Sequence, residues 1–200
     1  VQGGIHIDGI ELAGKAAERI VADGLVLVPG GRQVFPGPSG RENIRLGARH
    51  LPRAEREERF DALMRQYPTL AAKPNRKASA LSGGERQSIS ISRAMQFFAK
   101  IIILDEPTNN LGVEETHGVL RFIKEVREAG HSLIYITHNI HHVFEVCDRA
   151  VIMRQGEVIA NVRMADSDVL TVEGIITGAD LTKFVKGHNP GGQAMGETNA

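Results

Sequence analysis

Three short stretches hold residues that can do chemistry together. In Leu81-Ser82-Gly83-Gly84-Glu85-Arg86-Gln87, two glycines behind a serine leave backbone amides open just where a helical pattern begins. Open amides at the positive end of a helix dipole make an anion site, and phosphate is the usual anion there. In Ile101-Ile102-Ile103-Leu104-Asp105-Glu106-Pro107, branched apolar residues run into two carboxylates. The run predicts a strand buried on both faces of a parallel sheet. Such a strand delivers Asp105 and Glu106 to the carboxyl edge, where open α/β sheets bind ligands. One carboxylate there can hold Mg²⁺, and its neighbour can orient and deprotonate a water. A second apolar run, Leu133 to Ile136, ends in Thr137-His138 and adds an imidazole to the same edge.

The elements that must position these groups follow from composition and periodicity. Two hundred residues suffice for one domain, or one domain with a small lobe. Twenty-four basic and 24 acidic residues balance, so no basic field points to nucleic acid. The single cysteine, Cys147, excludes an intrachain disulfide and suits a reducing compartment. No apolar run approaches the ~20 residues that cross a bilayer, and no charged-then-apolar leader is expected.

Residues 1–10 read as a strand and turn, 15–22 as a short helix and 25–28 as a strand. Residues 40–78 read as helical, with Phe60, Leu63, Met64 and Tyr67 on one face. Ser82 is placed to cap a helix whose stripe is Ile91, Ala94, Met95 and Phe98. The next helix, 112–129, turns Val119, Phe122, Ile123 and Val126 inward and stops at Gly130. A third carries Ile140, Val143, Phe144 and Cys147, which places the thiol in the core, and residues 150–162 read as a hairpin.

The order and spacing of the three chemical stretches resemble the ATP-binding cassette (ABC) family, the ATPase subunits of membrane transporters, over about residues 4–178. Residues 81–87 match its signature motif, 101–106 its Walker B strand and 138 its switch histidine. The resemblance implies an α/β fold, a P-loop NTPase-like core sheet with a small helical lobe at about 41–95. The partial cassette is expected to span residues 1–187 and a loose tail 188–200. ATP and Mg²⁺ are the implied cofactors. Glu106 is implied as general base, His138 as the second catalytic group at the γ-phosphate, and Asp105 as the metal carboxylate. Ser82, Gly83, Gly84 and Glu85 are implied to reach nucleotide held by a second cassette in a head-to-tail dimer. The implied partners are that second cassette and transmembrane permease subunits, with no nucleic acid and no direct contact with solute. The implied place is the cytoplasmic face of the inner membrane, peripherally.

Three departures bear on this resemblance. The family's phosphate loop, Gly-x-x-x-x-Gly-Lys-Ser/Thr, has one match in spacing, Gly9-Ile10-Glu11-Leu12-Ala13-Gly14-Lys15-Ala16. Ala16 lacks the hydroxyl that holds Mg²⁺, Glu11 would face phosphate, and the match lies too near the next motif. The chain is therefore read as an N-terminally truncated cassette lacking the Walker A segment. Pro29 to Pro36 resembles the Q-loop, but Gly30 stands where relatives carry Gln or Glu. After Walker B, Asn109-Asn110-Leu111-Gly112 replaces the usual Leu-Asp ending, a mark of some sugar importers.

Residues 81–178 look like simple-sugar importers, whereas residues 25–50 look more like branched-chain amino acid importers. The longer stretch favours a sugar. A non-catalytic fragment that offers only its signature face is a further alternative, and neutral charge argues against a soluble DNA-repair or translation ATPase. His138, His141 and His142 have metal-ligand spacing, but no carboxylate or cysteine completes a zinc set, and His141 and His142 are expected to be exposed at a helix start.

Overall fold

The computed structural model describes residues 3–31, 34–71 and 75–178. Arg32 and Gln33 of the Q-loop segment and the expected tail at 188–200 lie outside them. The chain divides into two compact units after Val146.

In the first unit, β1 (His6–Ile7) and β2 (Ile10–Glu11) pair as an antiparallel hairpin. Its turn residues Asp8 and Gly9 have φ of 48° and 78°, the left-handed pair that a tight type I′ turn demands. The short helix α1 (Ala17–Ala22) leads into β3 (Leu25–Val28). Four helices follow. They are α2 (Gly40–Arg45), α3 (Arg53–Gln66), α4 (Pro68–Ala71) and α5 (Gly83–Met95), with 3-10 turns at Leu46–Ala48 and Ala78–Ala80. Then come β4 (Ile101–Asp105), α6 (Val113–Glu128), β5 (Ser132–Ile136) and α7 (Ile140–Val146). The second unit pairs β6 (Arg149–Arg154) with β7 (Glu157–Arg163) and adds α8 (Val169–Thr177). Gln155 and Gly156, with φ of 51° and 85°, make the same kind of turn between its strands.

Strands β3, β4 and β5 form one parallel sheet in that order. Its register sets Val28 beside Leu104 and Leu104 beside Tyr135, so one face carries Val26, Val28, Ile102 and Leu104, all buried. α5 packs on β3 and α6 packs on α5, with Ile91, Ala94, Val119, Phe122, Ile123 and Val126 filling that side.

The expectation of burial on both faces holds only for one. Leu27, Ile134 and Ile136 are 56%, 47% and 48% exposed, and Ile101 and Ile103 are half-buried. An unbroken run of branched residues records that a strand suits burial, not what covers it. Covering those three exposed side chains would contribute on the order of 3 kcal/mol.

Two expected stripes are also corrected. Phe98 lies beyond the end of α5, at φ 54° and 51% exposed, rather than on its buried face. α7 buries only Val146, and Cys147 falls just past its end, half-buried rather than in the core. The stripe on α3 does form, with Phe60, Leu63 and the following Tyr67 buried and Met64 half-buried. Among the described residues no helix is long and apolar enough to cross a membrane.

Candidate active site

Strand β4 ends at Asp105, and the chain turns at once. Glu106 takes φ 45°, a left-handed conformation that L side chains adopt at a cost. Its own amide donates to the Ile136 carbonyl at 2.9 Å, which ties the turn to the end of β5. The turn therefore aims the Glu106 carboxylate at the segment that follows β5. There the backbone amide of His138 donates to Oε1 at 3.1 Å, and its Nδ1 lies 2.7 Å from the same oxygen. A carboxylate only accepts, so Nδ1 carries the proton. The Thr137 hydroxyl donates more weakly to Oε2 at 3.4 Å. The imidazole of His138 is 80% exposed and the Glu106 side chain 27%, so one edge of the pair faces solvent. Asp105, paired in register with Ile136, is half-buried beside it.

Behind this edge lies a second polar group. His142 Nδ1 is 3.2 Å from the Thr108 hydroxyl and 3.5 Å from that of Tyr135, and its Nε2 is 3.1 Å from the Asn139 amide nitrogen. The Asn139 side-chain oxygen accepts the His141 and His142 amides and so caps α7. Burial holds the His142 imidazole below its ordinary value, with His117 and His141 acting the same way and Glu145 and Glu106 opposing. His142 is thus half-buried and engaged, not exposed as its position at a helix start suggested. Among the described residues no cluster of three His, Cys, Asp or Glu is arranged to hold a metal.

The Ser82–Glu85 group is held by different neighbours. Ser82 caps α5 in a reciprocal box, its hydroxyl accepting the Glu85 amide at 3.3 Å and the Glu85 carboxylate accepting the Ser82 amide at 2.8 Å. Gly83 and Gly84 are buried against the start of α6. A Cβ on Gly83 would lie 2.6 Å from a Leu111 methyl and 3.1 Å from Glu115 Oε2, so a larger residue there would push these two side-chain ends aside.

The Gly9–Ala16 match forms no phosphate cradle. Residues 9–11 belong to the β1–β2 hairpin, the Glu11 carboxylate takes the Ile5 and Ala13 amides at 3.0 Å, and Lys15 is paired with Asp23 at 2.7 Å.

The sequence profile of the ABC transporter family matches residues 1–109, more than half of the chain. The chain belongs to the ABC transporter family. It is 35% identical to a fructose import ATP-binding protein of Rhizobium meliloti over 80% of this chain and 59% of that protein. It is 27% identical to a high-affinity branched-chain amino acid transport ATP-binding protein of Pseudomonas aeruginosa, over 78% of this chain and 67% of that one. The chain thus spans about three fifths of the fructose import relative. A solved dimer of an ATP-binding cassette in a post-hydrolysis state, bound to ADP and Pi, shares the fold with a TM-score of 0.65 at 22% identity, covering 82% of this chain and 74% of that one.

Gly30 has a physical account here. Gly30 lies so close to the Walker B turn that a Cβ would sit 3.0 Å from the Asp105 carbonyl oxygen and 3.2 Å from that of Glu106. Any larger residue at this Q-loop position requires that turn to give way. Motif reading names Thr137 only as the neighbour of His138 and does not single out Glu115. Thr137 reaches Glu106 only through tertiary pairing, whereas Glu115, three residues after Gly112, accepts the Gly112 amide at 3.4 Å, a contact its spacing could have signalled.

Proposed function

We propose that this chain is the ATP-hydrolysing subunit of an ABC importer that drives uptake of a simple sugar through a membrane permease. The observation that carries this reading is the Glu106–His138 pair, held at the carboxyl edge of a parallel sheet by a strained turn. In it Glu106 takes the proton of an attacking water, and His138 keeps that carboxylate oriented and faces the γ-phosphate. The three donors on Glu106 fix its direction and leave lone pairs for the water.

Asp105, half-buried at the end of β4, would hold Mg²⁺ through its carboxylate. When bound, that ion supplies charge neutralisation on the transferred phosphate. Ser82, Gly83, Gly84 and Glu85 form the face offered to nucleotide on a second cassette. The helices over about 41–95 are the helical lobe of a partial cassette spanning 1–187, at the cytoplasmic membrane face.

Beside the Q-loop segment, a groove of about 1010 Å³ includes Phe35, Arg93 and Phe98. Arg59 stacks on Phe98 at 3.7 Å and Arg93 on Phe35 at 5.5 Å, which suits docking of a permease segment. The 35% identity to the fructose import protein, against 27% to the amino acid transport protein, supports a sugar over a branched-chain amino acid.

One experiment tests this reading. The phosphate-loop segment of the fructose import relative is joined ahead of residue 1, and ATPase rate is measured with Glu106 intact and as Glu106→Gln. The enzyme reading expects hydrolysis that falls by about 10²–10⁴-fold in Glu106→Gln, the usual share of a positioned base. Equal rates in the two would remove Glu106 as the base.

A further inference from the structure

The anion site formed by the signature already has an anion in it. Glu115, in the first turn of α6, accepts the Gly83 amide on Oε1 at 3.0 Å and the Gly112 amide on Oε2 at 3.4 Å. The Ser82 hydroxyl, and after it the Gly112, Gly83 and Gly84 amides, hold this carboxyl below its ordinary value. The donors expected to greet a nucleotide phosphate are thus turned on a carboxylate of the same chain.

We propose that Glu115 is a built-in occupant of the signature's anion site, a carboxylate that stands in for phosphate and must withdraw before phosphate can bind there. The proposal rests on the reading of Ser82 to Glu85 as the phosphate-facing group. Two negative groups cannot share one set of donors, because each amide makes one strong bond and like charges at contact distance repel.

Withdrawal is built into the packing. α5 and α6 meet through backbone, since a Cβ on Gly84 would lie 3.1 Å from the Glu115 carbonyl oxygen. The side chain can therefore rotate without parting the helices. A cavity of about 420 Å³, lined in part by Ser82, Gly84, Glu85 and Glu115, opens beside it and gives the carboxylate room to move. Gly112, whose amide it leaves, is an exposed residue. The device makes the resting signature face reluctant toward stray phosphate, and its opening needs only rotation of one side chain at the start of α6.

The test follows the Gly83 and Gly84 amide resonances of the full chain while inorganic phosphate is added, for the parent and for Glu115→Gln. Removing one screened negative charge at contact predicts half-saturation at about tenfold lower phosphate in Glu115→Gln. Equal or weaker phosphate binding in that variant overturns the inference. If Glu115→Gln disturbs α6, Glu115→Asp keeps the charge and the helix start but shortens the reach. The Gly83 amide must then respond at lower phosphate than in the parent, and an unchanged response overturns the inference. The underlying reading has a separate control, pairing of the chain with an intact ATP-loaded cassette, measured by sedimentation with and without Ser82→Arg. Pairing that survives Ser82→Arg sinks the signature reading and the inference with it. Pairing lost in Ser82→Arg, with phosphate binding equal in parent and Glu115→Gln, sinks the inference alone.

Discussion

Replacing Glu106 by alanine and by glycine should reverse the usual order of stability of those two residues. Both changes delete the carboxylate, so the bonds to Thr137 and His138 cancel between them. What remains is a Cβ on a backbone at φ 45°. An L side chain in the left-handed region costs about 1–2 kcal/mol, and glycine is free of that penalty. Glycine loses more conformational freedom on folding, about 0.5–1 kcal/mol relative to alanine. The difference leaves Glu106→Gly more stable than Glu106→Ala by about 0.5–1 kcal/mol. At an ordinary helical position the order is the opposite, by about 1 kcal/mol. Urea unfolding of the two variants, with equal slopes, measures the difference directly. If Glu106→Ala matches or exceeds Glu106→Gly, the turn is not strained and the site stores nothing there. A confirmed reversal means that the chain tolerates strain at the residue proposed to activate water, as functional sites commonly do.

Phe60→Ala should destabilise the first unit by about 3–5 kcal/mol, because the ring is fully buried and lies under the Arg45 guanidinium at 3.9 Å; denaturant titration checks it, and Phe60→Leu should lose much less. Lys15→Ala should leave the chain's affinity for Mg-ATP unchanged in calorimetry, since Lys15 is tied to Asp23 at 2.7 Å and faces no phosphate cradle. Asp168→Ala should destabilise α8 at neutral pH and lose that effect in acid. The Thr171 amide holds the Asp168 carboxyl below its ordinary 3.8, so its stabilisation is complete above 3.8 and is lost as pH falls through the lower folded value. Stability of parent and variant compared at neutral pH and well below pH 3.8 reads the change, and a gap that persists in acid would refute it.

Local chemistry made much of this protein legible without a structure. The strands at 25–28, 101–105 and 132–136 follow from branched apolar runs, the helix start at Ser82 follows from its capping residue, and α6 follows from its apolar stripe. The turn at 155–156 follows from Gly156, which accepts positive φ. These features depend on a few neighbours along the chain, so their physics is written in consecutive residues. The motif order belongs to the same class, and it led to the ABC family that the profile match bears out.

Tertiary structure alone decided which groups meet and which faces are covered. The sequence put His138 on the same edge as Glu106, but the bonds from Thr137 and His138 to that carboxylate, some 30 positions apart, exist only through the parallel register of β4 and β5. The exposure of Leu27, Ile134 and Ile136 was equally hidden, since an apolar run is the same whether or not another element packs on it. Gly30 looked like a lost side chain, and its approach to the Asp105 and Glu106 carbonyls gives it a steric reason. Glu115 drew no notice as one more acidic residue at a helix start, and only the packing of α6 on α5 places its charge on the Gly83 amide. Hydrogen bonds and sterics act over a few ångströms, and only the folded chain brings residues distant in sequence within that range.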